Sequence, residues 1–241
     1  MMRVYSDLHT HTVFSHGRNT AEENVRAALQ KGLKAVAIAD HAPAHLFYGV
    51  RNVEGYLNAL EALKKKYAAH IGVLSGLELN MVSLNGALEV GTDVLDKLDV
   101  RILGFHKAVW YKDLKSAAHF YLKRTAKYNG KADGLAVTTQ SYIRAIEKNR
   151  IDILAHPGYA VALDHARLAD CCARNGVLVE LNAAHCELDA QTISIYKKAG
   201  ARFVVSSDAH AARDVGIFEG ALKLAESAGL SAEDIANAQG V

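Results

Sequence analysis

The chain has 241 residues, half of them hydrophobic and 22% charged, with 18 Gly and only 2 Pro; this balance excludes a disordered or fibrous chain and suits one globular domain over residues 1–241. A formal net charge of +2 gives no field that would draw the protein to nucleic acid or to an anionic membrane. Cys171, Cys172 and Cys186 lack CxxC spacing, no secretory signal opens the chain, and no apolar run nears the roughly 18 residues of a membrane span, so a cytoplasmic protein with reduced thiols is expected.

The first apolar run, VYSDL near residue 4, leads into DLHTHTVFSH, which sets Asp7, His9, His11 and His16 close together. NTAEENVRAALQKGLK then reads as a helix, because Thr20 and Glu23 have capping-box spacing and Gly32 stands where the C-terminus would stop. KAVAIAD (34–40) is a strand ending at Asp40 and His41, YLNALEALKKKYAAH a helix, and IGVLSGLE (71–78) a strand ending in Glu78. VRILGFH (100–106) is a strand ending in His106. Residues 107–137 are less regular, with helical texture from about 116 to 127. SYIRAIEKNR is helical, and IDILAH (151–156) is a strand ending in His156. DHARLADCCARNG, a helix, precedes the strand GVLVELN (176–182), which ends in Glu180 and Asn182. The helix DAQTISIYKKAG, the strand RFVVSSDAH (202–210) with Asp208 and His210 at its end, and the helix EGALKLAESAGL complete the series.

Near-continuous apolar strands alternating with helices are expected where a parallel sheet is covered on both faces, and seven of them predict an α/β fold, a distorted (β/α)7 TIM-like barrel. In such barrels the C-terminal strand ends form the active face, so these polar residues converge. A lone buried histidine is more often a hydrogen-bonded core residue than a ligand; here seven of the 12 histidines fall at strand ends. Seven imidazoles with Glu78 and Asp208 exceed the four or so ligands of one tetrahedral ion, which implies more than one metal. His45, His70, His119, His165 and His185 read as surface or loop residues, with His45 nearest the mouth. Ser206, Ser207, Asp208 and His210 lack the GxSxG elbow of a serine hydrolase, and no Gly-rich phosphate loop occurs.

Assembled in this way, the chain resembles the PHP (polymerase and histidinol phosphatase) family, and most of all its small stand-alone YcdX-like phosphoesterases. The likeness runs from DLHTHT through ADH (39–41), GLE (76–78), GFH (104–106) and AHPG (155–158) to SSDAH (206–210). It implies a barrel holding three divalent ions and a phosphatase that hydrolyses phosphate esters with metal-activated hydroxide. It also implies that His9 and His11 share one ion with Glu78 and Asp208, that Glu78 bridges to a second held by His106 and His156, and that His16, His41 and His210 hold the third. Asp7 and Asp40 are expected to orient ligating histidines from behind. Many family members carry SDG where this chain has SHG; the exchange puts His16 in place of Asp and tilts the expected metal toward zinc, with manganese and iron also compatible. Two other readings remain: an amidohydrolase-like C–N hydrolase, which has no need of His16, His41 and Glu78 together, and a non-catalytic metal-binding PHP module, against which the complete ligand set stands. The expected partners are a small phosphorylated substrate and, in a homo-oligomer, further copies of the chain. Whether the substrate is histidinol phosphate, a sugar phosphate, a nucleotide or an oligonucleotide end is decided by the βα loops.

Overall fold

In the computed structural model, which describes residues 2–122, 132–185 and 187–240, the first apolar run divides in two. Met2–Val4 (β1) leaves the main sheet, and Ser6–Asp7 (β2) begins it. Ala35–Ile38 (β3), Gly72–Asn80 (β4), Val100–Gly104 (β5), Ile153–Leu154 (β6), Leu178–Asn182 (β7) and Phe203–Ser206 (β8) follow, all parallel and in sequence order, as a nearly closed seven-stranded barrel. Ala238–Gly240 (β9), a strand the sequence pattern did not predict, pairs antiparallel with β1.

The helices between the strands are Ala21–Gln30 (α1), Val53–Tyr67 (α2), Thr92–Leu95 (α3), Leu114–Leu122 (α4), Ala132–Lys148 (α5), His165–Asn175 (α6), Ala190–Lys198 (α7) and Glu219–Ser227 (α8). The predicted capping box forms: Thr20 N donates to Glu23 Oε2 at 2.7 Å and Glu23 N to Thr20 Oγ1 at 3.3 Å. Of the helical texture predicted over 116–127, residues 123–127 lie outside the described residues. Among the described residues no helix is long and apolar enough to cross a membrane.

Strand alternation sorts the core into two layers. Val36, Ile38, Leu77, Leu79, Val179, Leu181, Phe203 and Val205 belong to the large cluster packed under the helices. The alternate residues Ala37, Ala39, Val100, Ile102, Ile153, Ala155 and Val204 fill the barrel interior. Farther along these inward rows come Glu78, Asn80, Glu180, Asn182 and Ser206, all buried. The interior therefore turns from apolar to polar toward the strand C-termini.

β2 is too short to pair along β8, and other groups close the ring. Thr10 bridges Ala209 beyond the strand ends, with His11 N donating to Ala209 O at 2.8 Å. The buried Asn237 donates through Nδ2 to Ser6 O and Val205 O, both at 2.7 Å, and accepts from Val205 N at 3.0 Å. One side-chain amide thus supplies the rungs that a β2–β8 ladder lacks. Asn237→Ala leaves these backbone groups unpaired in a dry seam and is expected to cost about 3 kcal/mol, read as a lowered urea midpoint.

Candidate metal centre

The chain leaves β2 still extended, so residues alternate in direction. Thr10 turns into the sheet, its Oγ1 donating to Ala37 O at 2.7 Å and its carbonyl accepting from Ala39 N at 2.8 Å. His9 and His11, on either side of it, both turn into the polar end of the barrel, where their Nε2 atoms stand 3.1 Å apart. Glu78 occupies the middle. Its Oε2 lies 2.7 Å from His41 Nδ1, 3.2 Å from His106 Nε2, 3.6 Å from His9 Nε2 and 3.7 Å from His11 Nε2, and its Oε1 lies 2.9 Å from His156 Nε2. Asp208 Oδ1 is 3.0 Å from His11 Nε2 and 3.7 Å from His210 Nδ1. His16 stands at the rim, its ring centroid 4.9 Å from that of His41 and 4.3 Å from that of His210.

Three triads, His9/His11/Asp208, His41/Glu78/His106 and His11/His41/His210, each offer ligand atoms within 4.8 Å of one another, and they are linked by His11 and His41. The grouping differs from the expected one: His11 also joins His41 and His210, and His16 and His156 fall in none of the three triads. His41, expected with His16 and His210 alone, also lies against Glu78, because its backbone forms a parallel bridge to Glu78.

The charges suit cations. Burial alone would raise Glu78, but His106, His41 and His9 hold it well below the usual carboxylate range. Asp208 is likewise depressed: burial opposes ionisation, and His9 and His11 outweigh it. Burial, with His210 and His11 adding to it, lowers His16 to about 4, and burial with His106 does the same to His45, so both are neutral at pH 7. His9 is raised, burial being overcome by Asp208, Glu180 and Glu78; what holds a proton there would hold a metal cation as well. His9 Nδ1 donates to Glu180 Oε1 at 2.8 Å, so its neutral form presents a bare Nε2 to His11 Nε2. Imidazole nitrogens converging with buried carboxylate oxygens fit zinc, iron or manganese.

Above the cluster opens a cleft of about 170 Å3. Beyond the expected ligands it is lined by His45, Tyr48, Tyr159 and His185, and among the described residues no Lys or Arg lines it. His185, in the loop after β7 as expected, lines the cleft, its ring 4.6 Å from Tyr159. His119 departs from the surface reading: it is buried and hydrogen-bonded to Thr138 Oγ1 at 2.8 Å. His165 is half-buried against the Tyr196 hydroxyl at 3.1 Å, and His70 is exposed.

The family model described as the PHP domain matches residues 7–187. The chain belongs to the PHP domain family. It is 30% identical to a probable phosphatase of Shewanella sediminis (strain HAW-EB3), over 98% of this chain and 90% of that one. It is 29% identical to a probable phosphatase of Thermoanaerobacter sp. (strain X514), over 98% of this chain and 91% of that one. The histidinol phosphate phosphatase of Lactococcus lactis subsp. lactis Il1403, solved in complex with Zn, L-histidinol and phosphate, shares the fold with a TM-score of 0.67 at 14% identity, over 94% of each chain.

Behind this PHP site stands a layer of groups that hold the expected ligands. Asp7 and Asp40 do not orient imidazole rings, contrary to expectation. Asp7 accepts from Ser207 N at 3.1 Å and Gly216 N at 2.8 Å, and Asp40 from Thr12 N and Thr12 Oγ1, both at 2.7 Å. Each ties down the backbone beside an expected ligand, Ser207 preceding Asp208 and Thr12 following His11. The ring-orienting role falls to residues outside the predicted set. Glu180 accepts from His9 Nδ1 and, at 2.9 Å, from His156 N, and Asn182 Nδ2 donates to Asp208 Oδ2 at 3.0 Å. Asn80 Oδ1 accepts from His106 Nδ1 at 2.7 Å. The signal for them is the repeated Glu-Leu-Asn at residues 78–80 and 180–182, polar at every second position of an apolar strand. His156 and Asp208 have positive φ, 29° and 54°, a strained backbone for non-glycine residues that the surrounding hydrogen bonds sustain.

Gly104 leaves the space that Glu78 fills, since a Cβ there would lie 2.3 Å from Glu78 Oε1. Gly104→Ala is expected to displace that carboxylate and lower bound metal per chain, by elemental analysis, while far-UV circular dichroism stays unchanged. Glu89 accepts from Asn80 N and Nδ2, and burial pushes it up to about 7 from an ordinary 4.5. Because its folded value is raised, its stabilising contribution is complete below about pH 4.5 and is lost as pH rises through about 7. Glu89→Gln is expected to flatten the fall in unfolding free energy across that window in metal-free protein, measured by denaturant titration.

Proposed function

We infer that the chain is a metal-dependent phosphoesterase, a phosphatase acting on a small phosphorylated substrate with three divalent ions. The observation that carries this reading is the set of three linked triads around Glu78, open to a cleft whose described lining has neither Lys nor Arg to neutralise a phosphate. His9, His11, Glu78 and Asp208 would hold one ion, Glu78, His106 and His156 a second, and His16, His41 and His210 a third, with His41 placed to serve either neighbour. The many imidazoles favour zinc, in keeping with the zinc of the Lactococcus lactis structure. When bound, the ions supply an activated water and neutralise charge on the phosphoryl group.

The chain's own groups then act around the ester. His45 Nδ1 accepts from Tyr48 N at 3.2 Å, so the neutral ring carries its proton on Nε2. That Nε2–H, in the cleft wall, can donate to a phosphoryl or leaving-group oxygen. Tyr48, Tyr159 and His185 frame the remainder of the substrate and are where selectivity, histidinol phosphate included, is decided. Glu180, by holding both His9 and His156, keeps the two sides of the site in register.

A phosphate-release screen over phosphate esters, on protein whose metal content has been measured, tests this. More than two ions per chain are expected, with activity lost to a chelator and restored by zinc. Asp208→Asn and His9→Ala should each lower kcat/KM at least about a hundredfold. Fewer than two ions per chain, or turnover of cyclic amides in place of phosphate esters, would refute the reading.

A further inference from the structure

We propose that Glu89, which has no place in the chemistry above, is a positioning residue for the metal centre: through Asn80 it fixes the proton of His106 on Nδ1 and so turns the Nε2 lone pair toward Glu78. The excursion after β4 returns Glu89 to Asn80. Met81 and Leu88 form an antiparallel bridge, and Val82 N donates to Ala87 O at 2.8 Å. Asn80 N then donates to both carboxylate oxygens, at 3.0 and 2.9 Å, and Asn80 Nδ2 to Oε1 at 2.9 Å.

Each link dictates the next. Asn80 Nδ2 faces Glu89 Oε1, and whenever that carboxyl is ionised it can only accept, so the amide cannot invert. Its oxygen must then face His106 Nδ1, which lies 2.7 Å away. An amide oxygen also only accepts, so the neutral ring carries its proton on Nδ1, and the unprotonated Nε2 lies 3.2 Å from Glu78 Oε2. Burial pushes Glu89 up to about 7, so the ionised form is held at a cost that a glutamine of the same shape would escape. A glutamine, however, could donate to Asn80 Oδ1 and let the amide invert. The ionised carboxylate makes the orientation compulsory. If Glu89 only capped the strand-end amide of Asn80, Glu89→Gln would keep an acceptor for that task and leave His106 unchanged.

The proposal rests on the reading of His106 as a ligand, and the test separates the two. Long-range 1H–15N spectra of wild-type protein labelled in histidine report the ring tautomer: Nδ1–H at His106 is expected, and Nε2–H overturns the proposal. In competition with a chromophoric chelator, Glu89→Gln should weaken zinc binding at one ion by roughly ten- to a hundredfold and mix the His106 tautomers, with far-UV circular dichroism and the remaining ions unchanged. Wild-type affinity and tautomer in that variant overturn it. Asn80→Ala removes the side-chain link between Glu89 and His106, so in that background Glu89→Gln should have no further effect on His106; an undiminished effect overturns the relay. Unchanged zinc affinity in His106→Ala would instead refute the ligand reading and the proposal with it, recognisable because the wild-type tautomer remains Nδ1–H.

Discussion

A carboxylate taken out of water persists only where partners surround it, and Glu78 is buried with nitrogens of His41, His156, His106, His9 and His11 all within 3.7 Å. Five strand ends and the loops behind them must agree for this to happen. The glycine facing it on β5 exists to leave room, and the small alanines lower in the barrel let the strands come close enough for the rings to meet. The rest of the site is ordered outward from that charge: rings around the carboxylate, then the amides and carboxylates that aim the rings, then the aromatic wall of the cleft.

The outer groups carry stability costs that a purely structural barrel would avoid. Two candidate ligand positions have positive φ, several buried carboxylates stand near one another, and a polar layer replaces what could have been a dry core. Apolar packing below and under the helices offsets these costs. Local rules give way at this end of the barrel and hold elsewhere, which is the usual distribution of strain around a functional site.

The architecture was legible because its signals are local and repeated. Apolar runs of strand length, Thr20 and Glu23, and glycines at helix ends each act within a few residues, so they survive without tertiary knowledge. The convergence of the candidate ligand residues was legible because strand ends in a parallel barrel share one face, which turns a one-dimensional position into a place in space. What escaped depends on pairings across the fold. Asp7 and Asp40 have the residue type expected to grip an imidazole, but only the folded loops show that they grip Ser207, Gly216 and Thr12. His119 looks like any helix-surface histidine until α5 is laid against it. β9 escaped because it is three residues of low apolar content whose partner is at the opposite end of the sequence.

That last pairing has a temporal consequence. The first two imidazoles of the candidate site, at positions 9 and 11, are synthesised some two hundred residues before Asp208, His210 and the amide of Asn237 that closes the ring. At translation rates of about 5–20 residues per second, roughly 10–40 s separates them. During that interval the early histidines lack the carboxylate and the closed seam that would make them a strong cation trap. Because the closing residues lie some two hundred positions after His9 and His11, the candidate site and the barrel seam are completed together.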